Sequence, residues 1–142
     1  MDLTRRDLIA LGSGTVALAG LVGLPAFASI TTADEAITAF TGGAEIADGD
    51  LTLDAPEIAE NGNTVPITID APGAVEDSVF DDGSPEPNVV TFKFGPLSAS
   101  RFASTRIRLA TTQNVIAVAK MQDGSFRMAQ ANVKVTIGGC GG

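Results

Sequence analysis

The chain has 142 residues, a formal net charge of −8, no His and a single Cys. That is length for one domain with a real core. It leaves no Ser-His-Asp or Cys-His pair, no His-ligated metal, no internal disulfide and no multi-thiolate zinc site, and its acidity disfavours nucleic acid as a partner.

The first 28 residues read as an address. Thr4-Arg5-Arg6-Asp7 is a twin-arginine pattern. Residues 8–24 are apolar but diluted by Gly12, Gly14, Gly20 and Gly23. Pro25-Ala26-Phe27-Ala28 supplies an A-x-A cleavage site, so Ser29 is expected to begin the mature protein. A charged start, an apolar middle and a small-residue end compose a signal peptide. Paired arginines with a weakly apolar core favour the Tat route to the bacterial periplasm. The competing reading is a retained anchor, because the apolar stretch approaches the ~17–25 residues of a spanning helix.

Thr32-x-x-Glu35 is a capping box that predicts a short helix over residues 33–41, stopped by Gly42-Gly43. From about residue 51 the pattern changes to strands. Val65, Ile67 and Ile69 alternate on one face, with Pro66 marking an edge or a break in pairing. Asn61-Gly62 before them is a hairpin signal. Asp81-Asp82-Gly83-Ser84-Pro85-Glu86-Pro87 reads as a surface loop. Residues 89–94 put Val90, Phe92 and Phe94 on one face; residues 105–109 put Ile107 and Leu109 inward and Arg106 and Arg108 outward. Residues 114–121 are almost continuously apolar, as in a central buried strand. Asp123-Gly124 turns the chain, and residues 126–137 return with Val133, Val135 and Ile137 inward. Several short strands with turn signals and no long amphipathic helix predict an all-β antiparallel sandwich.

Charge is segregated along the chain. Residues 29–88 hold 14 Asp/Glu and no Lys or Arg, whereas residues 89–142 hold seven Lys/Arg and one acid, Asp123. This is either a solubilising surface or two faces of opposite sign, one of which docks a partner.

The sequence ends Gly138-Gly139-Cys140-Gly141-Gly142. Glycine has wide backbone freedom, and ordering such a segment costs about 1–2 kcal/mol per residue with no apolar side chain to offset it. A mobile thread is therefore expected. Three residues of extended chain place the thiol about 10 Å beyond the domain. Reach, slimness and one reactive atom are what a carrier arm requires. A Cys so flanked has little to be buried with, and its position does not fit a prenylation box. An intermolecular disulfide remains open for an odd Cys in an oxidising compartment.

The ending Gly138-Gly139-Cys140-Gly141-Gly142 resembles the SoxY family, the carrier subunits of the bacterial sulfur-oxidation (Sox) system. So do residues 56–66, PEIAENGNTVP, and residues 103–119, ASTRIRLATTQNVIAVA, together with the Tat signal. The resemblance implies an immunoglobulin-like sandwich that pairs with SoxZ as a heterodimer. It also implies that Cys140 is the covalent attachment point for sulfur. A c-type cytochrome would join thiosulfate to it, a manganese-dependent hydrolase would release sulfate, and a sulfane dehydrogenase would oxidise the sulfur left behind. The chain itself would hold no cofactor or metal and catalyse nothing. The implied organisation is a signal peptide at 1–28, helix and lead-in at 29–50, sandwich at 51–137 and carrier arm at 138–142. Two other readings stand beside it: a ubiquitin-like carrier loading a terminal carboxylate, which needs ATP that the periplasm lacks, and a periplasmic binding domain using Cys140 only for a disulfide.

Overall fold

A computed structural model describes residues 32–138. The expectations for residues 1–28, for Ser29 and for Gly139, Cys140, Gly141 and Gly142 lie outside the described residues.

Helix α1 (Ala33–Thr41) begins at the expected capping box. The Glu35 N–H donates to Thr32 Oγ1 at 3.3 Å, and the Thr32 N–H donates to Glu35 Oε2 at 2.9 Å. Gly42, in the left-handed region at φ 68°, ends it. The helix buries Ala33 and Ile37 against Phe80, Ile116, Val118 and Phe126. Phe40 meets the rings of Phe80 and Phe126 edge-on, at centroid distances of 6.0 and 5.9 Å.

Nine strands follow among the described residues: β1 (Ile46–Ala47), β2 (Thr52–Asp54), β3 (Ile58–Ala59), β4 (Val65–Asp70), β5 (Ala74–Asp81), β6 (Asn88–Lys93), β7 (Phe102–Ile107), β8 (Gln113–Met121) and β9 (Phe126–Val135). One sheet has the order β1-β9-β8-β5-β6, with β3 also on β9; the other is β2-β4-β7. With the two-residue strands set aside, three strands face four in a sandwich of immunoglobulin-like order. The period-two alternation of β4 sends Val65, Ile67 and Ile69 into the space between the sheets. There they meet Val79, Ile107, Leu109, Val115, Ala117 and Val133. The long ladders are antiparallel, but β1 and β3 each pair parallel with β9.

The all-β sandwich, the helix, the buried central strand β8 and the Asp123-Gly124 turn (Gly124 φ 83°) are present as expected. Pro66 faces a partner on one side only, since β2 pairs with β4 no further than Thr68. Four expectations fail. Asn61-Gly62 does turn the chain, but β3 and β4 do not pair as a hairpin; β3 joins β9 and β4 joins β2 and β7. Ile137 is not inward: β9 ends at Val135, the chain bends, and Ile137 is 68% exposed. Asp81 is no loop residue but the buried end of β5. Nor does the charge segregation survive as a simple division of the surface. Acidic β5 lies between β8 and β6, β4 with its one acid, Asp70, pairs with β7, and Lys93–Glu76 and Arg127–Asp50 ion pairs, each at 3.9 Å, join the two halves.

Candidate functional site: the root of the C-terminal segment

β9 carries the chain towards Cys140, and Gly138 is the last described residue on that path. The root of the segment is held on both sides. On one side runs a strap, residues 57–62. The Lys134 N–H donates to Glu57 O at 2.9 Å and the Thr136 N–H to Ala59 O at 3.1 Å. The Thr136 hydroxyl donates to Glu60 O at 3.0 Å. The N–H of buried Gly62 donates to Ile137 O at 2.8 Å, while its carbonyl accepts from the Leu109 N–H at 2.8 Å. On the other side the Val135 N–H donates to Thr112 Oγ1 at 3.0 Å. Asn61 closes the turn of the strap by accepting from the Asn63 N–H on Oδ1 at 3.0 Å.

Beneath the root lies an apolar core: Ala59, Val65, Leu109 and Val133 are buried in one cluster. A chain leaving this point has a defined origin, because hydrogen bonds hold the end of β9 on both sides. The two stretches behind the resemblance, 56–66 and 103–119, meet here. Sequence reasoning missed the strap and Thr112. The turn signal at Asn61-Gly62 was legible, but a turn says that the chain reverses and not which strand it will face.

Away from the root, two carboxylates are buried in β5. Asp77 is 0% exposed and neither of its carboxylate oxygens has a hydrogen-bond partner. Burial, with a smaller contribution from the Asp70 charge, pushes its pKa up to about 7. Asp81 accepts from the Ser84 N–H and hydroxyl, both at 2.9 Å. Its burial outweighs these bonds, so its pKa is also raised. Among the described residues no three His, Cys, Asp or Glu side chains converge as a metal-holding group. Among the same residues no helix is long and apolar enough to cross a membrane.

The family model described as "Sulfur oxidation protein SoxY" matches residues 37–140, from within α1 through β9 to the cysteine. The chain belongs to the SoxY family. A solved SoxY, the sulfur carrier protein from Chlorobium limicola f thiosulfatophilum, is similar at 37% identity and a TM-score of 0.64, over 73% of this chain and 96% of that one. A superoxide reductase (neelaredoxin) from Ignicoccus hospitalis matches at 16% identity and a TM-score of 0.54, over 75% of this chain and 94% of that one. At that identity the likeness is of fold alone. No curated protein matches the sequence. The SoxY match ends on Cys140 and covers both the strap and Thr112, so the family assignment and the geometry of the root concern the same part of the chain.

Proposed function

We propose that this chain is a sulfur carrier of the Sox system, with Cys140 as the covalent attachment point and Gly138, Gly139, Gly141 and Gly142 as the arm that presents it. The observation that carries this reading is the SoxY family match running through Cys140. The anchored root supports it, because a carrier arm needs a defined origin on a stable body.

The chemistry is written from the thiolate. Loading would join Cys140 Sγ to the outer sulfur of thiosulfate, giving Cys–S–S–SO3⁻ and releasing two electrons, which the haem irons of the partner cytochrome would accept one each. Hydrolysis then cleaves the bond between the sulfonate and its neighbouring sulfur. Water supplies the fourth oxygen of sulfate, two protons leave, and Cys–S–S⁻ remains for a sulfane dehydrogenase. The carrier's own contribution is attachment and delivery; the bond-making belongs to its partners. A free thiol titrates near 8.5, so a minority is thiolate at neutral pH. The charge of −8 weakly repels a dianion, and joining a thiolate to thiosulfate needs an oxidant that the chain does not supply, so loading falls to a partner enzyme. The reading includes export by the Tat route through Arg5 and Arg6, cleavage between Ala28 and Ser29, work in the periplasm, and a SoxZ-type subunit as heterodimer partner.

Intact-mass measurement tests the proposal. Mature chain incubated with thiosulfate and the loading cytochrome should gain one thiosulfonate adduct, and Cys140→Ser should gain none. A serine variant that is loaded, or one that supports normal sulfur oxidation in the reconstituted system, would overturn it. A wild-type chain recovered only as a disulfide-linked species, never as a sulfur adduct, would favour the tether reading instead.

A further inference from the structure

Asn61 stands directly before Gly62 at the turn of the strap, and the pair carries a reactivity of its own. An asparagine side chain is most open to attack by the next backbone nitrogen when glycine follows, because glycine puts no side chain in the way. The Gly62 nitrogen adds to Cγ of Asn61 and gives up its proton, and the side-chain nitrogen leaves as ammonia. Water then opens the cyclic imide at either carbonyl, giving aspartate or isoaspartate. The net change consumes water, turns an amide into a carboxylate and releases ammonium, with no oxidant, metal or enzyme. The other asparagines, Asn63, Asn88, Asn114 and Asn132, each precede Thr or Val, whose branched Cβ hinders the same attack.

The fold restrains this chemistry from the nitrogen side. Gly62 is buried, and its N–H donates to Ile137 O at 2.8 Å. That nitrogen cannot lose its proton or turn towards Cγ without breaking the bond. The Gly62 carbonyl is held as well, by the Leu109 N–H at 2.8 Å. Asn61 Oδ1 accepts from the Asn63 N–H at 3.0 Å, which orients the side chain. Asn61 itself is exposed, so water and base reach Cγ freely. The electrophile is open to solvent while its nucleophile is tied to the end of the chain's last strand.

We infer that Asn61 is a self-modification site gated by the root: closed while Gly62 holds Ile137, reactive when that bond opens, and unable to close again once isoaspartate has formed. Isoaspartate routes the main chain through the former side-chain carbonyl and so lengthens the backbone between residues 61 and 62 by a methylene. Gly62 can then no longer meet Ile137 O and the Leu109 N–H together. The new carboxylate also lies next to exposed Glu60 in sequence, which adds repulsion within the strap. A reversible opening of the root is thereby made permanent. The inference stands on the strap alone and does not depend on the carrier reading of Cys140.

The test incubates the mature chain at mildly alkaline pH and follows Asn61 by peptide mapping that separates aspartate from isoaspartate. Folded wild type should convert at least tenfold more slowly than the same chain held unfolded in urea. Thr136→Val removes the hydroxyl that donates to Glu60 O at 3.0 Å. Losing that bond should speed conversion of the folded chain by about fivefold, with hydrogen exchange at the Gly62 amide accelerating by the same factor. Equal rates in folded and unfolded wild type, or faster exchange at Gly62 without faster conversion, would overturn the gate. The isoaspartate form, isolated by ion exchange, should show faster exchange at the Thr136 amide and an unchanged rate at Val118 in β8. Asn61→Asp adds the charge without lengthening the backbone and should shift Thr136 exchange by less than twofold. An isoaspartate form that exchanges like wild type would overturn the permanent release. Should Thr136→Val fail to fold, Thr112→Val, which removes the acceptor of the Val135 N–H, takes its place with the same expected direction.

Discussion

Asp77 is a carboxylate enclosed between two sheets with no hydrogen bond to either oxygen. It is tolerable there only when neutral. Its pKa of about 7 in the fold, against an ordinary 3.8, means that between these values the folded chain keeps a proton the unfolded chain has lost. Stability from this group is therefore full below about pH 4, falls as pH rises towards 7, and levels off above it. The shift corresponds to an upper bound on the order of 4 kcal/mol. Asp77→Asn should raise the Tm relative to wild type at pH 8, and the difference should shrink towards zero or reverse near pH 4. Thermal unfolding of both proteins at the two pH values checks this; a difference that does not vary with pH would show that Asp77 stays ionised. The same residue explains why β5 was illegible in the sequence. Glu76, Asp77 and Asp81 break the apolar alternation of Ala74–Asp81, although Val79 and Phe80 are wholly buried within it. Composition argues against a core strand here, and the tertiary fold overrides it.

At the scale of elements, α1 and β8 were readable because each carries its own signal. The helix has both ends marked, by Thr32-x-x-Glu35 and by Gly42. β8 is apolar on both faces because α1 covers one and the second sheet the other. Removing the cap with Thr32→Ala should cost about 1 kcal/mol, measured as a loss of chemical or thermal stability; a variant as stable as wild type would mean that tertiary packing alone holds the helix. The root carries no such local signal, because the strap and β9 find each other across more than 70 residues of chain. Its pairing still makes a local prediction. The Val135 N–H donates to Thr112 Oγ1, and Thr112→Val keeps the shape but removes the acceptor. One lost hydrogen bond is worth about 1 kcal/mol, or roughly fivefold in an equilibrium. Hydrogen exchange at the Val135 amide should accelerate by about that factor, while the amide of Val118 in the middle of β8 keeps its rate. Equal acceleration at both would mean that the substitution loosens the whole sandwich and not the root.

At the scale of the whole molecule, the topology sets an order of events. β9 lies between β1 and β8 and also pairs with β3. Residues 46–47 and 58–59 therefore wait for residues 126–135 before their pairing can form. Contacts this distant in sequence form late, and the sandwich is incomplete until nearly the whole chain is available. An unfolded export route would have to hold back both sheets throughout transit. A route for folded cargo permits the last strand to dock first, and with it the root from which the proposed arm departs. The proposed Tat signal fits that demand. Replacing Arg5 and Arg6 by lysines keeps the charge of the signal but removes the paired guanidinium pattern. The expected result is a full-length precursor retained in the cytoplasm, compact by limited proteolysis, with its domain as protease-resistant as that of the exported wild type. Cell fractionation with mass measurement of the chain in each fraction checks both parts. Processed protein in the periplasm at normal yield would remove the Tat assignment. A retained precursor that proteolysis degrades throughout would keep the assignment but show that the chain does not complete its fold before crossing.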